Sequence, residues 1–578
     1  MMRFAAGLIF FVFAFPFLIQ GQSDLTLELK TTVQDRSFLK SNYQQTFKDK
    51  RSREKELRKV LLSLQLEGYL LASVDSLAGD SIRQIAWISP GEKYTWLTLR
   101  KGNADPSLLS AGGFREKDYR EKAFRYSELS KMMEAFTVYA ENNGYPFIES
   151  RLDSVTMHEN KISATLNISK GLLIFMDSII VKGNSKISPA YLYNHIGIRP
   201  GDPYSEKKVK DITARLKEIP FAFAPKPFSV VFTKEKTKLI IWLDKKKASQ
   251  FDGIVGILPD NKTKKTTITG DVRLKLLNAA GRGELIDFNW RKLQDQTQDL
   301  RARLNYPFLF RTNYCVDLAF KLYKRDTTFL EVNPVLGIEY RLSGKSSLKA
   351  FADSKTLSLL STTGLQGSTV TPQNADVNTL LYGLNFNFER LDYRFNPREG
   401  FTFSVTAKAG TRRIIKNQNL NDSAYLQVDL SSSQYKGEGE IRVFVPLAKR
   451  AVLKVGLSGA GLLSDNIFQN ELYRIGGSHS LRGFDEESIK ATSYLVSTLE
   501  LRYLLEQNSY AFLFAEAAWY ENASLALYNE DMPYSFGTGI SFETRAGILS
   551  LGYALGSQKN NPILFRNGKI HVGIVGLF

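Results

Sequence analysis

Residues 476–484 read Gly-Gly-Ser-His-Ser-Leu-Arg-Gly-Phe and lie in a long connection, roughly 463–492, between two strand-like stretches. The flanking stretches 451–460 and 494–503 are rich in valine, leucine and other residues that favour strands. Glycine frees the backbone for positive φ and close packing, and arginine carries five hydrogen-bond donors in a fixed, planar arrangement. The sequence therefore predicts a loop that can fold into a cavity and pair there with carboxylates.

The pattern Gly-Gly-x-x-x-Leu-Arg-Gly-Phe resembles the signature loop of the bacterial surface antigen superfamily. The matching residues are Gly476, Gly477, Leu481, Arg482, Gly483 and Phe484. That superfamily includes BamA-like and TamA-like assembly proteins and the two-partner secretion transporters, in which this loop tucks back into a transmembrane barrel. The resemblance implies that Arg482 pairs with acidic groups on the barrel wall. Glu500 and Glu516 are the candidates, although the family usually has aspartate followed by glycine at the second site. Each glutamate could instead be a solvated charge in a polar lumen.

The N-terminal residues predict export. Met1-Met2-Arg3 is followed by an apolar run from Phe4 to Ile19, and this pattern predicts a secretory signal peptide over residues 1–21. A membrane anchor is the alternative, for which the run is short. Cys315 is the only cysteine, so no intrachain disulfide is expected.

The formal net charge of the chain is +18, and its basic residues are spread along the whole length without a nucleic-acid recognition motif. This distribution indicates that the chain binds an anionic membrane surface, such as outer-membrane lipid, or an acidic partner, and not nucleic acid.

Residues 22–249 predict three α+β units, 22–100, 101–172 and 173–249, because helix-period runs recur with pairs of strand-like runs. In the third unit, 179–184 and 196–204 resemble a polypeptide-transport-associated (POTRA) domain. The second unit matches the same family at its turn from helix into strand. The first unit matches least, since its start is polar and irregular.

Such a module has a small sheet whose exposed edge strand can accept an extended chain through backbone hydrogen bonds. We therefore expect the modules to bind clients or partners. The alternative is that they are spacers.

From about residue 250 apolar residues alternate with polar or small ones, as along 401–407, 536–542 and 570–578. A soluble sandwich alternates in the same way. Connection lengths favour a membrane barrel, because outer-membrane barrels have short periplasmic turns and long outer loops. The short connections are 447–450, 504–509 and 544–546, and the long ones are 463–492, 520–532 and 557–567. Residues 250–578 thus predict an all-β, antiparallel transmembrane barrel of roughly 16 strands.

Three POTRA-like units and one barrel are closest to the layout of TamA-like members. The barrel could open between its first strand and its last. Gly573 and Gly576 lack side chains that would strengthen the last strand, and with Phe578 they predict a labile seam.

Enzyme chemistry is not expected, because the sequence has no nucleophile elbow, zinc-protease motif or phosphate-binding lysine loop. The four histidines are scattered, so we predict neither a metal site nor a cofactor.

The leading hypothesis is a factor in the outer membrane of a Gram-negative-type cell, with its POTRA-like domains in the periplasm. It would insert or export unfolded outer-membrane or secreted client proteins, and an inner-membrane partner that spans the periplasm could cooperate with it. The alternatives are a passive porin-like channel and a surface receptor.

Overall fold

The computed structural model describes residues 24–31, 43–233, 236–259, 266–292, 297–343, 346–362, 370–393, 396–544, 547–559 and 563–577. The predicted signal peptide, 1–21, and Phe578 lie outside these residues. None of the helices that the structure describes is both long and apolar enough to cross a bilayer. Two compact units divide the chain: one runs to Phe175 and includes Pro203–Val209, and the other holds Met176–Asp202 and Lys210–Phe578.

Three small α/β modules precede the barrel, and they repeat one strand pattern. In each, a first strand pairs in parallel with a second strand, which pairs antiparallel with an edge strand: β1–β4–β3, β5–β8–β7 and β9–β12–β11. The strands are β1 (Leu25–Lys30), β2 (Thr46–Phe47), β3 (Ser73–Gly79), β4 (Arg83–Ser89), β5 (Thr95–Arg100), β6 (Lys122–Ala123), β7 (Glu149–His158), β8 (Lys161–Ser169), β9 (Ser178–Lys182), β10 (Ala222–Phe223), β11 (Ser229–Phe232), β12 (Thr237–Trp242) and β13 (Asp244–Lys245). The α-helices are α1 (Lys50–Leu66), α2 (Pro106–Ala111), α3 (Tyr126–Glu141), α4 (Pro189–Ile196) and α5 (Glu206–Glu218), and short 3₁₀ turns occupy Glu116–Tyr119, Leu309–Arg311, Asp422–Tyr425, Gln469–Glu471 and Phe565–Asn567.

The first module corrects two expectations. Its start, expected to be irregular, forms β1, in which Leu27 and Leu29 are buried while the residues between them are more exposed. The boundary expected at residue 100 is also wrong, because β5 pairs with β8 of the second module. The boundary therefore lies before Thr95. The strand-like pattern of β5 was visible in the sequence, but its pairing partner, β8, lies more than 60 residues further along the chain.

The barrel is a closed ring of 16 antiparallel strands, which confirms the predicted strand number. The ring runs β14 to β24, then β27, β28, β30, β31 and β32, while β29 extends β28 as a hairpin and β25 pairs with β26 inside a connection. The predicted loop 520–532 is therefore largely that hairpin. The strands are β14 (Gln250–Pro259), β15 (Thr266–Leu277), β16 (Leu285–Lys292), β17 (Gln298–Tyr306), β18 (Tyr314–Arg325), β19 (Phe329–Ser343), β20 (Ser346–Leu359), β21 (Asp376–Leu391), β22 (Gly400–Ile415), β23 (Ser431–Ala448), β24 (Ala451–Leu463), β25 (Tyr473–Ile475), β26 (Ile489–Ala491), β27 (Ser493–Leu504), β28 (Tyr510–Ser524), β29 (Leu527–Asp531), β30 (Tyr534–Thr544), β31 (Gly547–Ser557) and β32 (Lys569–Leu577).

Exposed and half-buried side chains alternate along the barrel strands, so the barrel wall has two different faces. On β22, Phe401, Phe403 and Val405 are exposed, and the residues between them are half-buried. The exposed apolar face points away from the lumen, as a wall facing lipid requires.

Helix α4 of the third module packs on the turns at one end of the barrel. It begins at Ser188, whose side chain caps the helix by accepting from the backbone N–H of Tyr191 (3.2 Å). The Ser188 N–H itself donates to the Gly281 carbonyl (2.8 Å) in the β15–β16 turn. The Tyr191 ring lies against Gly283, where a Cβ would sit 2.0 Å from the ring, and against Phe308, with ring centroids 5.2 Å apart. The third module is thus held at the end of the barrel by backbone bonds and close packing.

We expect His195 on α4 to make the stability of the third module depend on pH. The imidazole is buried, stacks on Tyr191 and lies 2.7 Å from the Arg215 carbonyl. Burial lowers the pKa of His195 from 6.5 to about 4. Between those values the unfolded chain binds a proton that the folded module does not, so stability falls as the pH falls, by up to about 1.4 kcal/mol per pH unit.

We expect the amides of α4 to exchange hydrogen faster at pH 5 than at pH 7 after correction for intrinsic rates. The control is His195→Gln, which does not titrate and should show no excess exchange at pH 5. Equal pH dependence in the two proteins would contradict the assignment to His195.

Candidate functional site

The connection between β24 and β27 folds into the lumen. Its arms, β25 and β26, pair with each other from Tyr473↔Ala491 to Ile475↔Ile489, and residues 476–488 form a tip between them, here called the tip loop. The tip loop contacts wall strands on both sides of the barrel, so it crosses the lumen.

Glycines allow the tip loop to pack tightly. Gly477 has φ +96°, and a Cβ there would lie 2.1 Å from the Glu486 carboxyl carbon. Gly483 has φ +89°, and its Cβ would lie 2.8 Å from the backbone N of Gly556 on β31. Both positions therefore need glycine, for positive φ and for close approach.

A small apolar cluster holds the base of the tip loop against the wall. Leu481 is fully buried and Phe484 nearly so. They pack with side chains from both arms and from β27 and β28, namely Ile475, Ile489, Ala491, Val496, Ala518 and Tyr520. This packing places the intervening Arg482 facing the same two strands.

Arg482 makes its densest contacts with Glu516 on β28. The Arg482 backbone N–H donates to one carboxylate oxygen of Glu516 (2.8 Å), and Nε (2.8 Å) and Nη2 (2.7 Å) of Arg482 approach the other. The hydroxyls of Thr498 and Ser535 also approach Glu516, each at 3.4 Å. The Glu516 carboxylate thus reaches the arginine, as predicted.

Glu500 on β27 accepts from Nη1 of Arg482 (2.9 Å). Its other oxygen accepts from Arg502 Nε (2.8 Å), and Lys454 lies 3.7 Å away. The Arg482 guanidinium also stacks on Phe514, 3.5 Å from the ring centroid. Two buried carboxylates thus face three cations at one point of the wall. The structure brings together every predicted residue of this cluster, and its role in function stays a prediction.

The predicted seam lies where β14 meets β32. Among the described residues three pairs join these strands, Gln250↔Leu577, Phe251↔Gly576 and Asp252↔Val575, whereas ten pairs join β14 to β15. Gly576 lies in this short pairing. Gly573 instead pairs with Ser550 of β31, and Phe578 lies outside the described residues.

Sequence reasoning missed several ion-pair clusters among the described residues, and two of them hold parts of the connection between β24 and β27. The first joins Glu486 and Glu487 of the tip loop to Arg291 on β16. The only local signal was the acidic run Asp485-Glu486-Glu487 directly after the motif. The second joins Arg412 on β22 to Glu471 (2.6 and 2.7 Å), and Arg412 is fully buried. Neither cluster resembles a metal centre, and no group of potential metal ligands occurs among the residues that the structure describes.

Comparison with known proteins gives two family matches. A model of the Omp85 superfamily domain matches residues 278–574, more than half of the chain. A POTRA model, described as the surface antigen variable number repeat, matches residues 175–241. No curated protein sequence matches the chain significantly.

Among solved structures, CdiB from Acinetobacter baumannii is 13% identical, with a TM-score of 0.55, and the match covers 91% of this chain and 97% of that one. CdiB from Escherichia coli is 12% identical, with a TM-score of 0.54 and coverages of 91% and 98%. BamA from Haemophilus ducreyi lacking POTRA domains 1–3 is 14% identical, with a TM-score of 0.44 and coverages of 83% and 98%. The two CdiB likenesses show a shared fold.

Proposed function

Because the chain belongs to the Omp85 superfamily, we propose that its barrel opens between β14 and β32 and that an extended client protein enters or crosses the membrane there. The barrel lies in the outer membrane and the POTRA modules lie in the periplasm. The chain has an outer-membrane assembly or translocation role. Its clients are unfolded outer-membrane or secreted proteins.

The observation that carries this proposal is the short pairing at the seam. Beyond Asp252, residues 253–259 of β14 are paired with β15, and among the described residues they have no partner on the β32 side. A strand edge of this kind presents backbone N–H and C=O groups that an incoming strand can pair with. Among the described residues, three residue pairs join the two strands of the seam, so few backbone pairs oppose its opening.

The modules supply further edges for an extended client. β3, β7 and β11 lie at the edges of the three module sheets. β7 is ten residues long, and Val155 and Met157 on it are exposed. We therefore assign the modules a role in receiving clients before the barrel does. The tip loop lies across the lumen, and this argues against a passive channel.

A disulfide across the seam tests the proposal. We expect Phe251→Cys with Gly576→Cys, in a Cys315→Ser background, to abolish assembly once oxidised and to recover on reduction. In the assay, a urea-unfolded eight-stranded outer-membrane barrel protein is added to vesicles that contain the purified full-length protein. Folding of the added protein is then measured by its faster migration on gels without heating.

The matched control is Phe251→Cys with Leu274→Cys, which joins β14 to β15 and leaves the seam free. It should retain activity when oxidised. Full assembly by the oxidised seam pair would refute opening at this seam, and loss of activity in both pairs would make the disulfide itself the cause.

A further inference from the structure

The tip loop has a second anchor on the opposite side of the seam. Glu487 accepts from Nη2 of Arg291 on β16 (2.7 Å) and from the hydroxyl of Tyr323 on β18 (2.7 Å). Glu486 approaches Nη1 of the same arginine (3.4 Å), and its other oxygen accepts from the backbone N–H of Ser478 (2.9 Å). The acidic residues after the motif are thus held by the wall and by the tip loop itself.

These anchors lie on both sides of the seam. Arg482 is fixed to β27 and β28, the twelfth and thirteenth strands of the ring, and Glu487 is fixed to β16 and β18, the third and fifth. The shorter way round the ring from β28 to β16 passes through β30, β31, β32, β14 and β15. A taut loop between these anchors therefore spans the seam from inside.

Two further contacts fall on the C-terminal side of the seam. Lys569 on β32 pairs with Asp485 (2.6 Å), and the backbone of Gly483 packs against Gly556 on β31. On the N-terminal side the connection is made by Glu486 and Glu487. We infer that residues 482–487 tie the two sides of the seam together, with Arg291 and Tyr323 as positioning residues, and that seam opening releases the tie at Glu487.

The two ends of the tie differ in how easily they release. The side chains of Arg291 and Arg482 are equally exposed, at 16%, but that of Glu487 is 22% exposed, whereas those of Glu500 and Glu516 are 4% exposed. When Glu487 leaves, Arg291 keeps Asp299 at 3.7 Å as a partner, so no buried charge is left without a counter-charge. Release at Arg482 would leave Glu516 without a salt-bridge partner among the described residues. The Glu487 end is therefore the releasable one.

This inference rests on the proposed opening of the seam, but it can be tested without a client. Nitroxide labels at Phe288→Cys on β16 and Leu551→Cys on β31, in a Cys315→Ser background, report the distance across the seam in vesicles. Both native side chains are exposed and lie outside the tie. Electron–electron double resonance then gives the fractions of closed and open barrels.

We expect Glu487→Gln to raise the open fraction by about threefold to tenfold, the range expected for losing one partly exposed charged hydrogen-bond pair. Glu487→Asp, which keeps the carboxylate that Arg291 and Tyr323 contact, should raise the open fraction less than Glu487→Gln does. The matched control is Glu440→Gln, which removes an exposed pair with Arg442 within β23 and should change nothing. Heat-modifiable migration verifies that each variant is folded.

An open fraction in Glu487→Gln equal to wild type, or equal to that of Glu440→Gln, would overturn the tie. Assembly activity measured on the same samples separates this result from the proposed function. Normal dependence of assembly on a free seam, with no effect of Glu487→Gln on the distance, would refute the tie and leave the seam proposal standing.

Discussion

Arg482→Ala is expected to release the tip loop and to lower assembly more than any other single change in the lumen, while the barrel strands stay paired. The loss of stability comes mainly from Glu516, which is left buried without its cation. Glu500 keeps Arg502 at 2.8 Å and Lys454 at 3.7 Å. Among the described residues, Glu516 keeps two hydroxyls at 3.4 Å, and it loses the backbone N–H of residue 482 when the loop leaves. Removing one partner of a fully buried pair costs about 3–5 kcal/mol, and the remaining hydrogen bonds place this site toward the lower end.

Lysine at position 482 should rescue poorly. A single ammonium cannot present the planar fork that reaches both carboxylates, and it loses the stacking of the guanidinium on Phe514. We expect Arg482→Lys to recover less than half of the lost stability of the tip loop, measured by hydrogen exchange over residues 476–488.

Double-mutant cycles measure how much of the stability of the tip loop depends on each pairing of Arg482 with a glutamate. We expect Arg482→Ala to couple more strongly with Glu516→Gln than with Glu500→Gln, because Glu500 has other cations beside it. Arg442→Ala, which removes a half-exposed cation of β23, is the matched control and should not change exchange in the tip loop. Coupling within error of zero for both glutamates would mean that Arg482 does not hold the loop.

The parts that could be predicted from the sequence are those with a local signal. Alternation of period two predicted the barrel, since each strand must present one apolar face. The length of residues 250–578, at about 20 residues per strand and connection, predicted the strand number. The glycines around Arg482 predicted a tightly folded loop, and the family resemblance supplied both glutamate candidates. The alternation and the glycines are signals within one strand or one turn, whereas the glutamates were found through the resemblance alone.

The parts that were missed depend on which strands become neighbours. Arg291 and Glu487 are 196 residues apart, and they meet only because the ring closes and the tip loop crosses it. Similarly, β5 was assigned to the first module because its parallel partner, β8, lies beyond two helices. Pairing of this kind leaves no trace in composition or periodicity.

Strand β1 shows that pairing decides the interpretation of a short segment as well. Its six residues, Leu-Thr-Leu-Glu-Leu-Lys, alternate correctly, but they adjoin a polar stretch that made the whole segment read as irregular. Only the pairing with β4 identifies it as the first strand of the module.

The second cluster that the sequence did not reveal, Arg412 with Glu471, controls a different part of the connection. Glu471 accepts from Nε and Nη2 of Arg412 in a two-bond fork (2.7 and 2.6 Å). Arg412 also donates to the carbonyls of Asp465 (3.1 Å) and Asn466 (2.9 Å). One fully buried arginine thus fixes both the turn after β24 and the 3₁₀ turn at Gln469–Glu471 to β22.

An apolar cluster lies beside this pair. Phe468, next to the 3₁₀ turn, is nearly fully buried and contacts the Arg412 guanidinium at 5.8 Å from its ring centroid. It packs with residues from the long connections and adjoining strand ends, including Tyr323, Phe329, Val377, Ile414, Leu420 and Tyr425. The ion pair and the apolar cluster together hold residues 464–472 across the outer end of the lumen.

Arg412→Ala is expected to unfold residues 464–472 locally and to raise conductance through the barrel. The expected cost is about 3–5 kcal/mol, because the buried Glu471 loses the guanidinium that contacts both of its carboxylate oxygens. Replacing both charges, as in Arg412→Met with Glu471→Leu, removes the buried carboxylate and should recover part of this loss. Recovery should be incomplete, since the Asp465 and Asn466 carbonyls remain without their donor.

The measurement compares hydrogen exchange over 464–472 with exchange over the tip loop, alongside conductance in planar bilayers. Because Arg482 is anchored independently on β27 and β28, the tip loop should stay protected in Arg412→Ala while 464–472 exchanges rapidly. If both segments lose protection together, the connection is one cooperative unit and the two clusters do not act separately. If neither does, the buried fork contributes no stability, and the outer end of the lumen is held by apolar packing alone.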